Sequence, residues 1–428
     1  MKRTLYVALL LILIGCADKY EDSHRYSRWV TQTKNYPIYL DMSEVTNIQV
    51  KRSGALEQPF KIVFNDRYYF VGEMMKGIHV YEKKEKSKPD YLCFIECKYL
   101  KDLDITGNYL FCNNLVDLVV LNVGTPTQTT VQHREKYHFN KFEGNAASWN
   151  IPYDYNKGCV VDYLPQVLSG YVTEKQLELD FSEYDRLYEN LSTKDLPASW
   201  ISDNPMNDKP WLGITKAGDN QIYTFGNNEN WTINSYSGSF NTYQTEWRVT
   251  PFGSYMCPVY SNDSHFVRLL NKEGTLYLLG IGNDSSSGYF DCMTSPKPYS
   301  LWFNFRFSNN VPVDITFIAS LKRFFILSDG FIRSALIKDD FPEGVVNYSD
   351  YEIVSGATAM ISAQDKLITL GNKLTVYHPA ETSIQLVKEY LHISGSCMLK
   401  EENLLAVANQ QGLSLYDISN LENITLIP

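Results

Sequence analysis

The chain has no apolar run long enough to cross a bilayer as a helix, which takes roughly 20 residues. The run that opens it ends at Ile14. Basic clusters are also missing. Asp and Glu number 49 against 39 Lys and Arg, for a formal charge of −10. That balance argues against nucleic acid and against electrostatic adhesion to anionic lipid. The one basic-looking stretch, residues 82–88, mixes Glu with Lys and reads as a solvated loop before Pro89. His-Glu-x-x-His, Gly-x-Ser-x-Gly and the phosphate loop Gly-x4-Gly-Lys-Ser/Thr are all lacking. His133 and His138 stand five apart with no partner at metal-site spacing, and read as surface or half-buried side chains. Residues 283–288 lack the alternating carboxylates of a calcium loop and read as a hairpin turn. Gly280-Ile281-Gly282 lacks the third glycine of a dinucleotide loop. No catalytic, cofactor-binding or metal-ligating residue is assigned. Carboxylates are plentiful, and glycoside hydrolysis needs only two of them placed by the fold.

What is present begins at the N-terminus. Lys2 and Arg3 precede an uncharged, mostly apolar run from Thr4 to Ile14, and the run closes in Leu13-Ile14-Gly15-Cys16. This has the layout of a secretory signal, and its end resembles the lipobox of bacterial lipoproteins. The resemblance implies cleavage before Cys16 and diacylglycerol on its thiol. Two or more acyl chains anchor a protein stably where one does not. Residues 1–15 are therefore read as signal peptide and 16–40 as tether. Removing Lys2 and Arg3 takes the formal charge from −10 to −12. By analogy with Gram-negative sorting, Ala17 after the cysteine argues for the outer membrane. The acidic residues Asp18, Glu21 and Asp22 fit either an export tag to the cell surface or a solvated tether. The leaflet, periplasmic side or cell surface, stays open.

Beyond Cys16 there are seven cysteines, an odd number that cannot all pair within one chain. Most lie in apolar runs, such as Tyr91-Leu92-Cys93-Phe94, and read as buried free thiols. On one strand, Cys93 and Cys97 would be roughly 13 Å apart, too far for a disulfide. The 31 Tyr, 21 Phe and 7 Trp favour strands and would equally suit stacking on sugars.

Self-similarity is the informative feature. In residues 59–90, Lys61-Ile62-Val63-Phe64, Tyr68-Tyr69-Phe70-Val71 and Ile78-His79-Val80-Tyr81 are separated by polar turns. Residues 102–126 repeat the pattern, and Ile78 and Leu118 lie 40 positions apart. The C-terminus repeats it again, with Leu374 and Leu413 at a spacing of 39. Residues 221–225, 275–279 and 323–333 hold intermediate candidates. A period near 40, built of short strands and Gly/Asn/Asp turns, predicts an all-β chain: a β-propeller of four-stranded blades, about seven, with six and eight left open. A β-sandwich is the competing architecture. Asp117-Leu118-Val119-Val120-Leu121-Asn122-Val123 and Gly412-Leu413-Ser414-Leu415-Tyr416-Asp417-Ile418-Ser419 resemble the LVIVD repeat. That resemblance covers about residues 59–130 and 357–420. It implies a bacterial propeller of a family that is often lipid-anchored and mostly without a known activity.

The propeller is expected over 41–428, with residues 45–50 as a candidate closing strand for the last blade. An irregular insertion at about 140–212 breaks the period. Ser182 to Asp185 looks like a capping box, and Tyr184, Leu187, Tyr188 and Leu191 follow helical spacing, which predicts a short helix near 183–191. With Trp149, Trp200 and Trp211, the insertion reads either as a ligand platform or as a packed loop. The function expected is a non-enzymatic binding or scaffold role toward a protein or glycan, with no nucleic acid and no cofactor. The alternative is a carbohydrate-active enzyme using carboxylates in the central channel.

Overall fold

The computed structural model describes residues 28–139 except 86, most of 153–192 between short gaps, strands and turns between 213 and 350, and 356–428 except 381–382. The chain divides into two compact units: residues 1–44 with 151–207, and residues 45–150 with 208–428.

The larger unit is built from antiparallel sheets whose strands follow one another in chain order. Among the described residues there are seven of them. They span 59–96, 103–135, 213–244, 265–306, 312–350, 357–390 and 397–426. The first and fourth carry a fifth strand, and the others have four. The opening strand of each sheet touches the opening strand of the next, from Pro59–Phe64 through Leu103–Thr106 to Cys397–Glu401, and Cys397–Glu401 touches Pro59–Phe64 again. A closed circuit of meandering sheets is a β-propeller.

The repeat was readable because each sheet is sandwiched between two others. Tyr68–Glu73 is buried at all six positions, and Asp117–Asn122 and Lys366–Gly371 at five of six. Such strands are continuous apolar runs rather than alternating ones. Outer strands such as Ile384–Tyr390 keep exposed positions. The turns are chemically specified. In the first, Asn65 accepts backbone N–H groups from Arg67 (3.0 Å) and Tyr68 (2.9 Å). Gly77 has no alternative, because a Cβ there would lie 2.2 Å from the Ile95 carbonyl oxygen.

Ring closure departs from the expected exchange of an N-terminal strand. Gln49–Lys51 pairs with Ser87–Glu96 of the first sheet, not with the last. The last sheet supplies its own fourth strand, Thr425–Leu426. The first and last sheets therefore meet mainly through side chains, with one backbone bond from the Lys88 N–H to the Pro428 carbonyl oxygen at 2.6 Å. Ile62, Tyr69, Val71 and Tyr81 pack on Ala406, Ala408, Leu413 and Leu415. Glu401 at the same seam accepts the Tyr69 hydroxyl (2.7 Å) and pairs with Lys83, whose ammonium lies 4.2 Å from the Phe64 ring centre. Burial, reinforced by the Glu401 hydrogen bond, raises the Tyr69 hydroxyl well above its ordinary pKa, so it remains a donor.

The first sheet also holds a buried hydrogen-bonded pair. His79 Nε2 lies 2.7 Å from Glu73, with both side chains essentially inaccessible. Burial alone would raise the Glu73 carboxyl, but the hydrogen bonds from His79 and the Glu57 N–H outweigh it and hold it below its ordinary value.

The smaller unit is a different construction. Arg28–Leu40, placed above in the tether, is a strand paired antiparallel with Gly158–Val172 from Arg28↔Val172 to Leu40↔Cys159. The helix predicted near 183–191 is present as Ser182–Tyr188. Its first turn is capped by Asp180, which accepts the Ser182 N–H at 2.9 Å, and not by Ser182. Asp185 instead reaches Lys34 and Tyr36 of the strand, each at 2.6 Å. Cys16, Trp149, Trp200 and Trp211 lie outside the described residues.

Seam packing sets a testable expectation. Leu415→Ala should cost about 2–5 kcal/mol by emptying a closed site. Leu386→Ala on an exposed outer strand should stay within about 0.5 kcal/mol. Urea unfolding of both variants checks the difference.

Candidate functional site

The inner wall of the ring is where channel carboxylates would act. Each inner strand is the edge of its sheet, and an edge strand leaves a row of backbone N–H groups without a ladder partner. The sequence answers with acids at alternate positions. Asp102 Oδ2 accepts the N–H of Ile214 at 2.7 Å, and Asp104 Oδ2 accepts that of Lys216 at 2.8 Å, both on the neighbouring sheet. The fifth and sixth sheets repeat the device: Asp314 Oδ2 accepts the Met360 N–H at 2.8 Å. Two residues further along each strand, Thr316 and Ser362 meet hydroxyl to hydroxyl at 3.2 Å.

The other oxygens are engaged as well. Asp102 Oδ1 accepts Lys61 Nζ (2.8 Å) and the Leu103 N–H (2.8 Å), while Lys61 also donates to the Ile214 carbonyl oxygen (2.8 Å). Asp104 Oδ1 accepts the Ile105 N–H at 2.7 Å. Asn113 holds the approach to Asp102 in place. Its oxygen accepts the N–H groups of Lys101 and Asp102, and its amide donates to the carbonyls of Tyr99 and Leu115. All four hydrogen-bonding positions of this fully buried side chain are filled. Desolvation by the surrounding wall raises the Asp104 carboxyl above its ordinary value, against the pull of Lys61 and two backbone N–H groups.

This arrangement ties sheet to sheet. A glycosidase pair needs one carboxyl free to give its proton to a leaving oxygen and a second free to attack or to activate water. In Asp102 and Asp104 every oxygen already accepts a bond from the protein.

The histidines do not come together. His133 is half-buried, 3.4 Å from Glu135, and stacks on Phe240 at 4.1 Å. His138 is buried, deeper than the surface or half-buried placement expected for it, with a 2.7 Å contact to the Thr224 hydroxyl. Among the described residues no three His, Cys, Asp or Glu side chains cluster as a metal site. Cys93, Cys97, Cys112, Cys159 and Cys397 are buried, and none of the five is in a disulfide. The hydrogen bond with Cys97 and burial push the Cys112 thiol well above its ordinary pKa, which makes it a poor nucleophile. The strands flanking residues 283–288 pair as a hairpin, Ile281 opposite Gly288, and residues 282–286 lie outside the described residues.

In the smaller unit the paired strands form a ribbon with two unlike faces. On one, Asp185 binds Lys34 and Tyr36, Tyr188 packs on Tyr36 at 5.5 Å, and Gln32 accepts the Leu179 N–H. On the other, Trp29, Val167 and Tyr171 are each exposed by more than half. Lys34 and Tyr36 hold the Asp185 carboxyl below its ordinary range, and Tyr36, through burial and Asp185, is pushed up to about 12.

No protein-family model matches the chain, and no curated protein matches it. Among solved structures it is similar to the β-propeller domain of Swd1 from Myceliophteria thermophila, at 8% identity over 87% of this chain and 99% of that one, with a TM-score of 0.45. It is similar to Sqt1 from Saccharomyces cerevisiae at 11% identity over 93% and 100%, TM-score 0.45. The WD40 propeller domain of Doa1 gives 9% over 89% and 97%, TM-score 0.42. The propeller is read from the sheet topology, and these likenesses say nothing of a ligand.

Three substitutions test these contacts. Asp102→Asn should cost about 1–3 kcal/mol, because it removes the charge that Lys61 and the Ile214 N–H share. Asp104 has a raised folded pKa, so its stabilising contribution is full below the ordinary carboxylate range and declines as pH rises through the raised value. Asp104→Asn cannot titrate, and its stability curve above the ordinary carboxylate range should lack that decline. Asp185 has the opposite sign: its contribution is present above the ordinary value and lost as pH falls through the lowered one. Asp185→Ala should speed amide exchange over residues 28–40 relative to wild type at neutral pH, and the difference between the two at equal pH should vanish only in acid.

Proposed function

We propose that this chain is a membrane-anchored lipoprotein related to LVIVD-repeat proteins, and that its propeller serves as a non-enzymatic binding scaffold. The anchor is Cys16, carried by the lipobox-like Leu13-Ile14-Gly15-Cys16. Its location on this reading is the outer membrane, and its partner is a protein or glycan presented at that membrane. The observation that carries the scaffold reading is the engagement of inner-wall carboxylates in sheet-to-sheet bonds. A wall built this way ties sheet to sheet, and in Asp102 and Asp104 both carboxylate oxygens already accept bonds from the protein.

The experiment compares natively expressed chain with Cys16→Ala. Wild type should carry diacylglycerol by mass spectrometry and sediment with membranes, and Cys16→Ala should be released. Cross-linking in intact membranes should then trap one stoichiometric partner with wild type alone. Hydrolysis of a glycan panel by the released chain, abolished by Asp102→Asn or Asp104→Asn in a folded protein, would overturn the scaffold reading in favour of a carbohydrate-active enzyme.

A further inference from the structure

The exposed ribbon face has an unusual composition for a surface in a chain that is 21% charged. Side chains alternate along a strand, so positions 29, 31, 33 and 35 share a face with positions 165, 167, 169 and 171 across the pairing. None of the eight carries a charge. At the far end Trp29 and Tyr171 stand opposite each other, 60% and 70% exposed, with ring centres 5.0 Å apart and edge to face. Thr31 and Ser169 join hydroxyls at 2.8 Å, and Val167 beyond them is 59% exposed. An aromatic pair left this far in water forgoes the burial that aromatic side chains ordinarily gain.

The chain's own layout identifies what covers it. The strand begins at Arg28, twelve residues after Cys16. Twelve residues span at most about 40 Å when fully extended, so the Trp29 end of the ribbon never leaves the vicinity of the lipidated cysteine. Trp and Tyr favour the headgroup level of a bilayer, where a flat apolar ring and a polar edge are both accommodated. An uncharged face enters that layer without stripping water from an ion. One hydroxyl of the Thr31–Ser169 pair donates to the other, which leaves a single O–H for an acceptor in the headgroup layer.

We propose that the Trp29–Tyr171 end of the ribbon docks on the lipid surface that holds the anchor. The occupant is the interfacial layer of the bilayer, bound through the aromatic pair and Val167. It acts as a second membrane contact that fixes the orientation of the smaller unit, beside the acyl chains that fix its location. This rests on lipidation of Cys16.

The full lipidated chain is reconstituted in phosphatidylethanolamine–phosphatidylglycerol vesicles with and without bromine on the upper acyl carbons. Bromine quenches only tryptophan at the membrane. The expected result is a loss of emission in brominated vesicles that disappears in Trp29→Phe and shrinks in Tyr171→Ala, with melting temperatures unchanged. Equal quenching of wild type and Trp29→Phe in a chain confirmed by mass spectrometry to carry lipid overturns the docking alone. A chain without lipid on Cys16 overturns the anchor and the docking together. In intact membranes, a photocrosslinker on Val167→Cys should capture lipid, and consistent capture of one protein instead would assign the face to that protein and overturn the proposal.

Discussion

A ring of sheets is stable only if it closes, and here closure rests chiefly on side chains, beside a single backbone bond from the Lys88 N–H to the Pro428 carbonyl. The first sheet is made wholly from the N-terminal part of its unit and the last wholly from the C-terminal end. No shared strand links them, so the apolar packing of Ile62, Tyr69 and Val71 on Ala406, Ala408 and Leu415 must do so. Glu401 adds the polar component by taking bonds from both Tyr69 and Lys83. The first and last sheets are each covered on two faces only because this one junction holds. Opening it would expose the faces of Tyr68–Glu73 and Leu404–Asn409, two strands buried over most of their length.

The same geometry explains the acids on the inner wall. Ring closure covers the faces of the sheets but leaves the inner edges, whose N–H groups still need acceptors. Asp102, Asp104 and Asp314 supply them from the neighbouring strand. The chain therefore places carboxylates where an enzyme of this architecture could use them, and binds them in a way that suits structure. Lys61 joins three sheets at once, through Asp102 and the Ile214 carbonyl.

How much of this could be read in advance follows from where the partners lie. The repeat was legible because strands such as Asp117–Asn122 are buried on both sides and carry an unbroken apolar run. The ribbon was not. Arg28–Leu40 reads Arg-Trp-Val-Thr-Gln-Thr-Lys-Asn-Tyr-Pro-Ile-Tyr-Leu, mostly polar and with a proline, and its pairing partner begins at Gly158, far along the chain. Residues 45–50 looked fit to close the ring because they contain strand formers, yet Gln49–Lys51 finds the nearer edge of the first sheet. The bonds of Asp102 and Asp314 span 112 and 46 positions and leave no local trace beyond an acid at alternate positions of an apolar strand. That alternation, in Asp102-Leu103-Asp104-Ile105 and Asp314-Ile315-Thr316, is the signal that could have marked them.

A seam closed this firmly is equivalent to any interior junction of the ring, which is open to direct measurement. Native-state hydrogen exchange of the whole chain, read by mass spectrometry, compares peptides covering residues 68–73 and 404–409 with one covering residues 109–114. Closure by side-chain packing predicts that all three exchange at the same slow rate, set by unfolding of the whole ring. Faster exchange in both seam peptides, with residues 109–114 still protected, would show that the ring opens between its first and last sheets and would contradict the account.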